Sequence, residues 1–252
     1  MKKNYIRSIT QKDVVTVILN KPDKLNLIDY DFLLSFYEKL TELDRNDAIK
    51  IILLKSLHKT FSIGIDWKKL INSASPKTKD FFNLSIKFID LLMQTNKITI
   101  AQIDGKAYGE GLGLTLACDF KIISESSLLG VPQISYGFIP IFSTIPLLIT
   151  QIGKTYANEL IYTGEIINGL RAEQIGLVNL AVRRENLNEE TNKFINKLFS
   201  QKGGNILQYK NILKKIDPIK QVPVDQLFLA NFLKISSDKK KLKKFDLFLK
   251  SV

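Results

Sequence analysis

The sequence predicts an α/β fold in which a sheet-based core is followed by a helical C-terminal part. Three observations carry this. The apolar runs Ile49–Leu54 and Ile98–Ile103 show no polar alternation, as strands covered on both faces require. Segments of helical spacing alternate with such runs through the first half of the chain, which argues for layered strands with crossover connections. From about Thr144 helical patterns follow one another almost without interruption.

Taken in order, Tyr5–Thr10 and Val14–Leu19 read as short strands joined by a polar turn at Gln11-Lys12-Asp13. Asn20 to Lys24 is a loop. Asp29 caps a helix running to about Arg45, with Phe32, Leu33, Phe36, Leu40 and Leu43 on one face. After the strand Ile49–Leu54 comes a loop, Ser56 to Asp66, and an amphipathic helix, Lys79–Thr95. The strand Ile98–Ile103 is followed by a loop to Gly109, a small-residue apolar helix to Ala117 and a strand at Phe120–Ile123. Helices are then expected at Tyr156–Tyr162, Arg171–Ile175, Glu185–Phe199, Asn205–Lys215, Asp225–Ile235 and Lys239–Leu249, with one strand, Leu177–Val182. Asp217-Pro218 and Val222-Pro223 break the late helices. The expected division is a core over 1–195 and a helical region over 196–252.

Composition removes several function classes. The chain has 252 residues, enough for one large domain with a sizeable core. One cysteine excludes an internal disulfide framework and any Cys-based zinc site, and one histidine excludes a His-rich metal site. No apolar run approaches the ~18 residues of a spanning helix. The basic start, Met1 to Tyr5, leads into no apolar segment of a secretory signal, so a soluble cytoplasmic protein is expected. The formal net charge of +12 favours anionic partners, such as nucleic acid or a phosphorylated small molecule. Most of the excess is scattered lysine, densest at Lys239–Lys244, which reads as a solvated helix face. No RNA-binding aromatic signature, zinc finger or basic zipper is present, so no nucleic-acid or membrane partner is expected.

Two glycine-bearing loops carry the candidate chemistry. Each follows a buried strand and precedes a helix: Lys59-Thr60-Phe61-Ser62-Ile63-Gly64-Ile65-Asp66-Trp67 and Asp104-Gly105-Lys106-Ala107-Tyr108-Gly109-Glu110-Gly111-Leu112-Gly113. Loops that feed helix N-termini expose backbone N–H groups lacking intrahelical partners, and two of them converging on one oxygen make an oxyanion hole. Taken alone, each loop equally suits a simple tight turn. Neither has the spacing of a dinucleotide fingerprint or a Walker loop.

In this order the loops resemble those of the crotonase superfamily, the enoyl-CoA hydratases/isomerases and their relatives. Leu19-Asn20-Lys21-Pro22 with Asn26 is similar to the family's early loop, and Phe61 to Asp66 to its first glycine loop. Asp104-Gly105 through Cys118-Asp119 resembles the second glycine loop with its buried helix. Gly130 to Pro140, Gly153-Lys154, Thr163-Gly164, Ala172 to Val178 and Leu242 to Lys250 follow the later landmarks, so the resemblance covers nearly the whole chain.

The resemblance implies a crotonase-like ββα spiral core with a helical C-terminal region that covers the site and supports oligomerisation, as a homotrimer or hexamer. It implies an acyl-CoA thioester as substrate, with coenzyme A as part of the substrate and no separate cofactor or metal. The thioester oxygen would sit between the backbone N–H groups of Ile65 and Glu110, the latter standing where the family usually has glycine. CoA contacts carry over to Lys24, Leu25, Ser62, Gly64 and Asp66, and an apolar acyl pocket to Trp67, Ile71, Phe138 and Phe142.

The chain departs from the family at the chemistry. The two glutamates that act as general acid and base fall at Gly113 and Gln133, and neither side chain moves a proton near neutral pH. The acid of another isomerase subgroup falls at Ile141. Three residues are candidates to substitute, each with a plainer alternative. Glu110 lies at the oxyanion loop or turns to solvent or a lysine. His58 is the only imidazole, the side-chain type suited to acid–base work, or is a surface loop residue. Tyr136 donates a hydrogen bond near the acyl end or is an interior aromatic. Asp66 reads as a helix cap, Asp119 and Glu125 as structural, and Cys118 as core. Three functions stay open: an enolate-stabilising acyl-CoA enzyme performing decarboxylation or hydrolysis, a weak hydratase or isomerase working through Glu110 or a bound water, and a catalytically inactive CoA-binding scaffold.

Overall fold

The structure is a computed structural model that describes residues 5–71, 75–138, 140, 144–200, 206–216 and 239–251. Its chain repeats a strand–strand–helix unit. Strands β1 (Ile6–Gln11) and β2 (Val14–Leu19) lead to α1 (Tyr30–Asp44), and β3 (Ile51–Ser56) and β4 (Thr60–Ser62) to α2 (Trp67–Ile71) and α3 (Ser75–Gln94). Strands β5 (Ile98–Ile103) and β6 (Lys106–Tyr108) lead to α4 (Glu110–Leu116). Next come β7 (Phe120–Ser124), β8 (Leu128–Gly130), a 3-10 turn (Pro132–Tyr136) and α5 (Thr144–Thr163). The rest is β9 (Ile166–Asn168), α6 (Gly169–Gln174), β10 (Leu180–Val182), α7 (Leu187–Phe199), α8 (Ile206–Ile216) and α9 (Lys239–Ser251).

Successive units feed two sheets. One has six strands in the order β1-β2-β3-β5-β7-β10, the other four in the order β4-β6-β8-β9. In the larger sheet β1 and β2 are antiparallel and every later pairing is parallel. This is the ββα spiral that the resemblance implied. Alternation decides what each face of the large sheet meets. Ile52, Leu54, Ala101 and Ile103 join the main core with α1 and α3, whereas Ile51, Leu53, Ile98 and Ile100 face Leu187 and Ile195 of α7. The runs are continuous because both faces are covered.

Helix α1 begins where Asp29 accepts from the Phe32 N–H at 2.9 Å, and it buries Phe32, Leu33, Phe36, Leu40 and Leu43. Helix α5 begins at Thr144, earlier than the expected Tyr156, and Gly153 breaks it with φ of 71°. The loops expected at 56–66 and 104–109 each contain a three-residue strand, β4 and β6, and β8, β9 and the short α2 were not expected. Strands of three residues are too short for a period-2 pattern, and backbone pairing rather than side-chain alternation fixes them. The strand expected over Leu177–Val182 is confined to Leu180–Val182, with Leu177 and Val178 buried just before it. The expected helix Asp225–Ile235 lies outside the described residues. Helix α7 runs through position 195, where the core was expected to end.

The last helix folds back over the core of its own chain. Phe245 and Phe248 are buried, and Lys68 on α2 pairs with Asp246 at 3.5 Å. Helix α8 is fastened by Lys210, whose Nζ donates to Asp119 and to the Lys97 carbonyl, both at 2.6 Å. Asp119 also accepts from the Thr99 N–H and hydroxyl, so its role is structural. Burial pushes the Cys118 thiol up to about 12, which suits an inert core position.

Candidate active site

The early loop is laid against the first glycine loop by Asn26. Its Oδ1 accepts from the Lys21 N–H at 3.0 Å, and its Nδ2 donates to Ser56 Oγ, the Thr60 carbonyl and the Phe61 carbonyl. Its φ of 49° lies in the left-handed region, which asparagine tolerates better than most residues. Ser62 completes the joint: its hydroxyl donates to the Asn26 carbonyl at 2.8 Å and accepts from the Gly64 N–H at 3.2 Å. That hydroxyl is therefore engaged inside the protein rather than offered to a ligand. The Ile63 N–H donates to the Leu25 carbonyl at 3.2 Å, so Leu25 belongs to the same joint. Lys24, at the tip of the early loop, is exposed.

Beneath that tip lies a charged anchor. The buried Lys21 ammonium donates to the Leu27 carbonyl and to Asp29, the latter at 2.8 Å, and Lys69 reaches the same carboxylate at 2.5 Å. Burial pushes the Asp29 carboxyl up, but the hydrogen bonds from Lys21 and Lys69 outweigh it and hold the group below its ordinary value. Asp66 accepts from the Lys69 N–H at 3.0 Å and so caps α2, as the sequence suggested.

A bridge between Ile28 and Ile65 uses the Gly64 carbonyl and the Asp66 N–H, which turns the Ile65 N–H to the other side of the strand. There the first loop meets the second. Gly64 has φ of 90°, and a Cβ on it would stand 3.1 Å from the Tyr108 carbonyl oxygen and 3.2 Å from both the N and Oε2 of Glu110. Only glycine combines that backbone with that approach. The first loop, at Gly64, is thus packed against the second at Tyr108 and Glu110.

Glu110 does not turn to solvent. It is 2% exposed, and its Oε2 accepts from Gln133 Nε2 at 3.1 Å. Gln133 is in the 3-10 turn, with its amide over Gly109, where a Cβ would stand 2.0 Å from Nε2. One helical turn further, a Cβ on Gly113 would stand 2.2 Å from Thr144 Oγ1. Gln133 Oε1 and Thr144 Oγ1 are both buried with no hydrogen-bond partner among the described residues. The structure therefore gathers Gly64, Ile65, Glu110, Gly113 and Gln133 and adds Thr144, which the sequence did not signal. A threonine before an apolar helix reads as an ordinary helix start, and its contact with Gly113 spans two distant segments.

An aromatic wall adjoins this junction. Trp67 stacks on Phe138 at 4.6 Å, Phe138 meets Phe245 at 6.1 Å, and Phe248 touches Tyr136 at 4.8 Å and Tyr108 at 6.2 Å. Ile71 packs partly buried against the same core, and Phe142 and Ile141 lie outside the described residues. Burial raises the Tyr136 phenol above its ordinary value and pushes Tyr108 up to about 12, so both stay protonated near neutral pH. Tyr136 is half-buried in the wall, an interior aromatic that remains a donor. His58 sits in the turn after β3, where its backbone N–H donates to Ser56 Oγ at 2.9 Å. Its Nε2 is buried without a partner among the described residues.

The fold defines a class: a ββα spiral in which two glycine loops meet, with the last helix packed against Tyr108 and Tyr136. The chain belongs to the enoyl-CoA hydratase/isomerase family, whose model matches residues 9–244. It is 29% identical over 200 residues to the crotonyl-CoA hydratase of Syntrophomonas wolfei, covering 78% of this chain and 77% of that protein. It is 33% identical over 207 residues to a probable mitochondrial enoyl-CoA hydratase of Dictyostelium discoideum, covering 79% and 72%. Among solved structures, the enoyl-CoA hydratase of Bacillus anthracis matches with a TM-score of 0.78 at 24% identity, covering 98% of this chain and 96% of that one. A putative enoyl-CoA hydratase from Thermobifida fusca, solved in complex with CoA, matches at 0.76 with 20% identity, covering 93% and 95%. These structural likenesses establish the fold. Among the described residues no helix is long and apolar enough to cross a membrane, and no group of three or more His, Cys, Asp or Glu is placed to hold a metal ion.

Proposed function

We propose that this protein binds acyl-CoA thioesters and stabilises the thioester enolate between the backbone N–H groups of Ile65 and Glu110. The observation that supports the reading is the seating of Gly64, the residue before Ile65, against Glu110. The family membership and the CoA complex of the Thermobifida fusca neighbour support the ligand class. Lys24, Leu25, Gly64 and Asp66 would line the CoA path, with Ser62 acting through the loop it holds.

Ordinary hydration is weak in this reading, because positions 113 and 133 hold glycine and glutamine. The buried Glu110 side chain also weighs against an anionic acyl group: a malonyl-type carboxylate would be set beside it at low dielectric, where like charges repel strongly. That disfavours decarboxylation and leaves neutral acyl chains. Calorimetry with butyryl-CoA tests the reading. Micromolar binding is expected, and no binding of any acyl-CoA would sink it.

The second reading, a catalytically inactive CoA-binding scaffold, is favoured by the absence of a proton-moving side chain at both family positions. Binding without turnover of any acyl-CoA would select it. In either reading the assembly is a homotrimer or hexamer. Tyr209, Ile212 and Leu213 are exposed on α8 and offer an apolar face to a neighbour. A monomer mass by light scattering would overturn that.

A further inference from the structure

We infer that the Glu110 carboxylate, oriented by Gln133, moves the proton at the carbon next to the thioester carbonyl. The inference rests on the acyl-CoA reading above and adds a proton-transfer role to it. Three observations lead to it. No proton-moving side chain enters from position 113, because Thr144 Oγ1 already stands 2.2 Å from where a Cβ would be. Gln133 holds the shape of a glutamate but does not titrate. Asp66 is turned to its helix cap, and Asp29 is held by Lys21 and Lys69.

Glu110 is placed for the task. A single point, the Cβ position of Gly64, lies 3.2 Å from Glu110 N and 3.2 Å from Glu110 Oε2. The carboxylate is therefore folded back to the same side of the first loop as the residue's own backbone nitrogen. A thioester whose oxygen lay between the Ile65 and Glu110 N–H groups would carry its α-carbon two bonds from that oxygen, on the proposal within reach of Oε2. Gln133 Nε2, 3.1 Å from Oε2, fixes the rotamer and acts as a positioning residue.

The step balances with one carboxyl group. Oε2 takes the α-proton, and the C–H electron pair forms the carbon–carbon double bond of the enolate. The carbonyl π pair moves onto the oxygen held by the two N–H groups. The Glu110 carboxylic acid, after exchange with water, returns a proton to the same carbon, or to the γ-carbon of an unsaturated chain. Water is not added, because no second group is placed to activate it.

The test follows the α-protons of butyryl-CoA by proton NMR in D2O. The expected result is exchange by the unmodified protein, with a loss of about 10²–10⁴-fold in Glu110→Gln and Glu110→Gly. Both variants keep the backbone N–H, so butyryl-CoA affinity should stay within about 3-fold, consistent with a role in transfer rather than binding. Gln133→Leu should lower kcat for exchange with KM unchanged, which a general loosening of the site would not do. Unreduced exchange in both Glu110 variants overturns the inference. Butyryl-CoA bound by the unmodified protein without exchange also overturns it, while leaving the acyl-CoA reading intact. Failure to bind any thioester removes both.

Discussion

The loop side and the base side of this site are built to different standards. On the loop side the side-chain polar atoms of Asn26 and Ser62 all have partners, Lys21 lies buried between Asp29 and the Leu27 carbonyl, and one buried atom at the edge of the joint, His58 Nε2, has none among the described residues. On the base side two buried polar atoms, Gln133 Oε1 and Thr144 Oγ1, have none among the described residues. Buried polar groups are normally satisfied, so the first region is a rigid frame and the second carries a stability cost. In the proposed function the backbone N–H groups at Ile65 and Glu110 are placed by this frame and by the close approach of Gly64 to Glu110, whereas proton transfer falls to the Glu110 side chain held by Gln133. On that proposal binding and proton transfer are separable.

The strongest way to break that contrast is to rebuild the base side. The unmodified protein should hydrate crotonyl-CoA far below the ordinary range of about 1–10³ per second, followed as loss of enoyl absorbance. Placing glutamate at 113 and 133 together is not sufficient. A side chain at 113 collides with Thr144, and a carboxylate at 133 would stand against Glu110 in place of the present 3.1 Å amide contact. The combination Glu110→Gly, Gly113→Glu, Gln133→Glu and Thr144→Ala removes the carboxylate conflict and eases the other, leaving Cβ atoms at 113 and 144 about 3.3 Å apart. It should raise hydration by about 10²–10⁴-fold, whereas Gly113→Glu alone should raise nothing. Circular dichroism must first show the combined variant folded. Ordinary turnover by the unmodified protein would refute the separation.

The frame itself is tested next. Asn26→Ala removes four hydrogen bonds from a buried joint and places alanine in the left-handed region. The expected cost is about 3 kcal/mol, a Tm fall of about 6–12 °C for a chain of this size. Thr144→Val removes an unpartnered hydroxyl and should leave Tm unchanged or raise it. If both variants melt alike, the two sides are not differently satisfied.

Asp29 sharpens the same comparison through pH. Its folded value is depressed, so its stabilisation is fully present above the ordinary value of 3.8 and is lost as pH falls through the folded value. Asp29→Asn keeps the helix cap but removes the charge between Lys21 and Lys69. Urea midpoints should therefore separate the two proteins at pH 6 and converge as the solution is acidified below ~4. A gap that is constant with pH would show that the charge contributes nothing.

Much of the architecture was legible because it rests on burial. The five core positions of α1 follow helical spacing, and β2 and β5 fall on apolar runs of the expected length. The four three-residue strands of the smaller sheet were not legible, since pairing between distant segments defines them. At the site the two ordered glycine loops could be read directly, and Gly113 and Gln133 are read as the family's glutamate positions from the resemblance alone. The direction of Glu110 could not, because it depends on Gln133, 23 residues away, and on space left by Gly64. Thr144 was invisible for the same reason: its meaning lies in the missing Cβ of Gly113.

The smallest expected effect tests the exposed end of the frame. Lys24 sits at the tip of the early loop with φ of 59° and an exposed side chain, so Lys24→Glu should alter stability by no more than about 0.5 kcal/mol. Its charge, however, would face the phosphates of CoA along the proposed path. A solvent-exposed ion pair contributes up to about 1 kcal/mol, so reversing the sign should weaken binding of free CoA by roughly 5–10-fold at low salt. At 1 M salt the Debye length shrinks to about 3 Å, and the difference between the two proteins should disappear. Calorimetry at the two salt concentrations separates this from a folding defect, which salt would not erase. Equal affinities at low salt would remove Lys24 from the CoA path while leaving the Asn26 joint and the paired N–H groups untouched, because none of their bonds involves the lysine side chain.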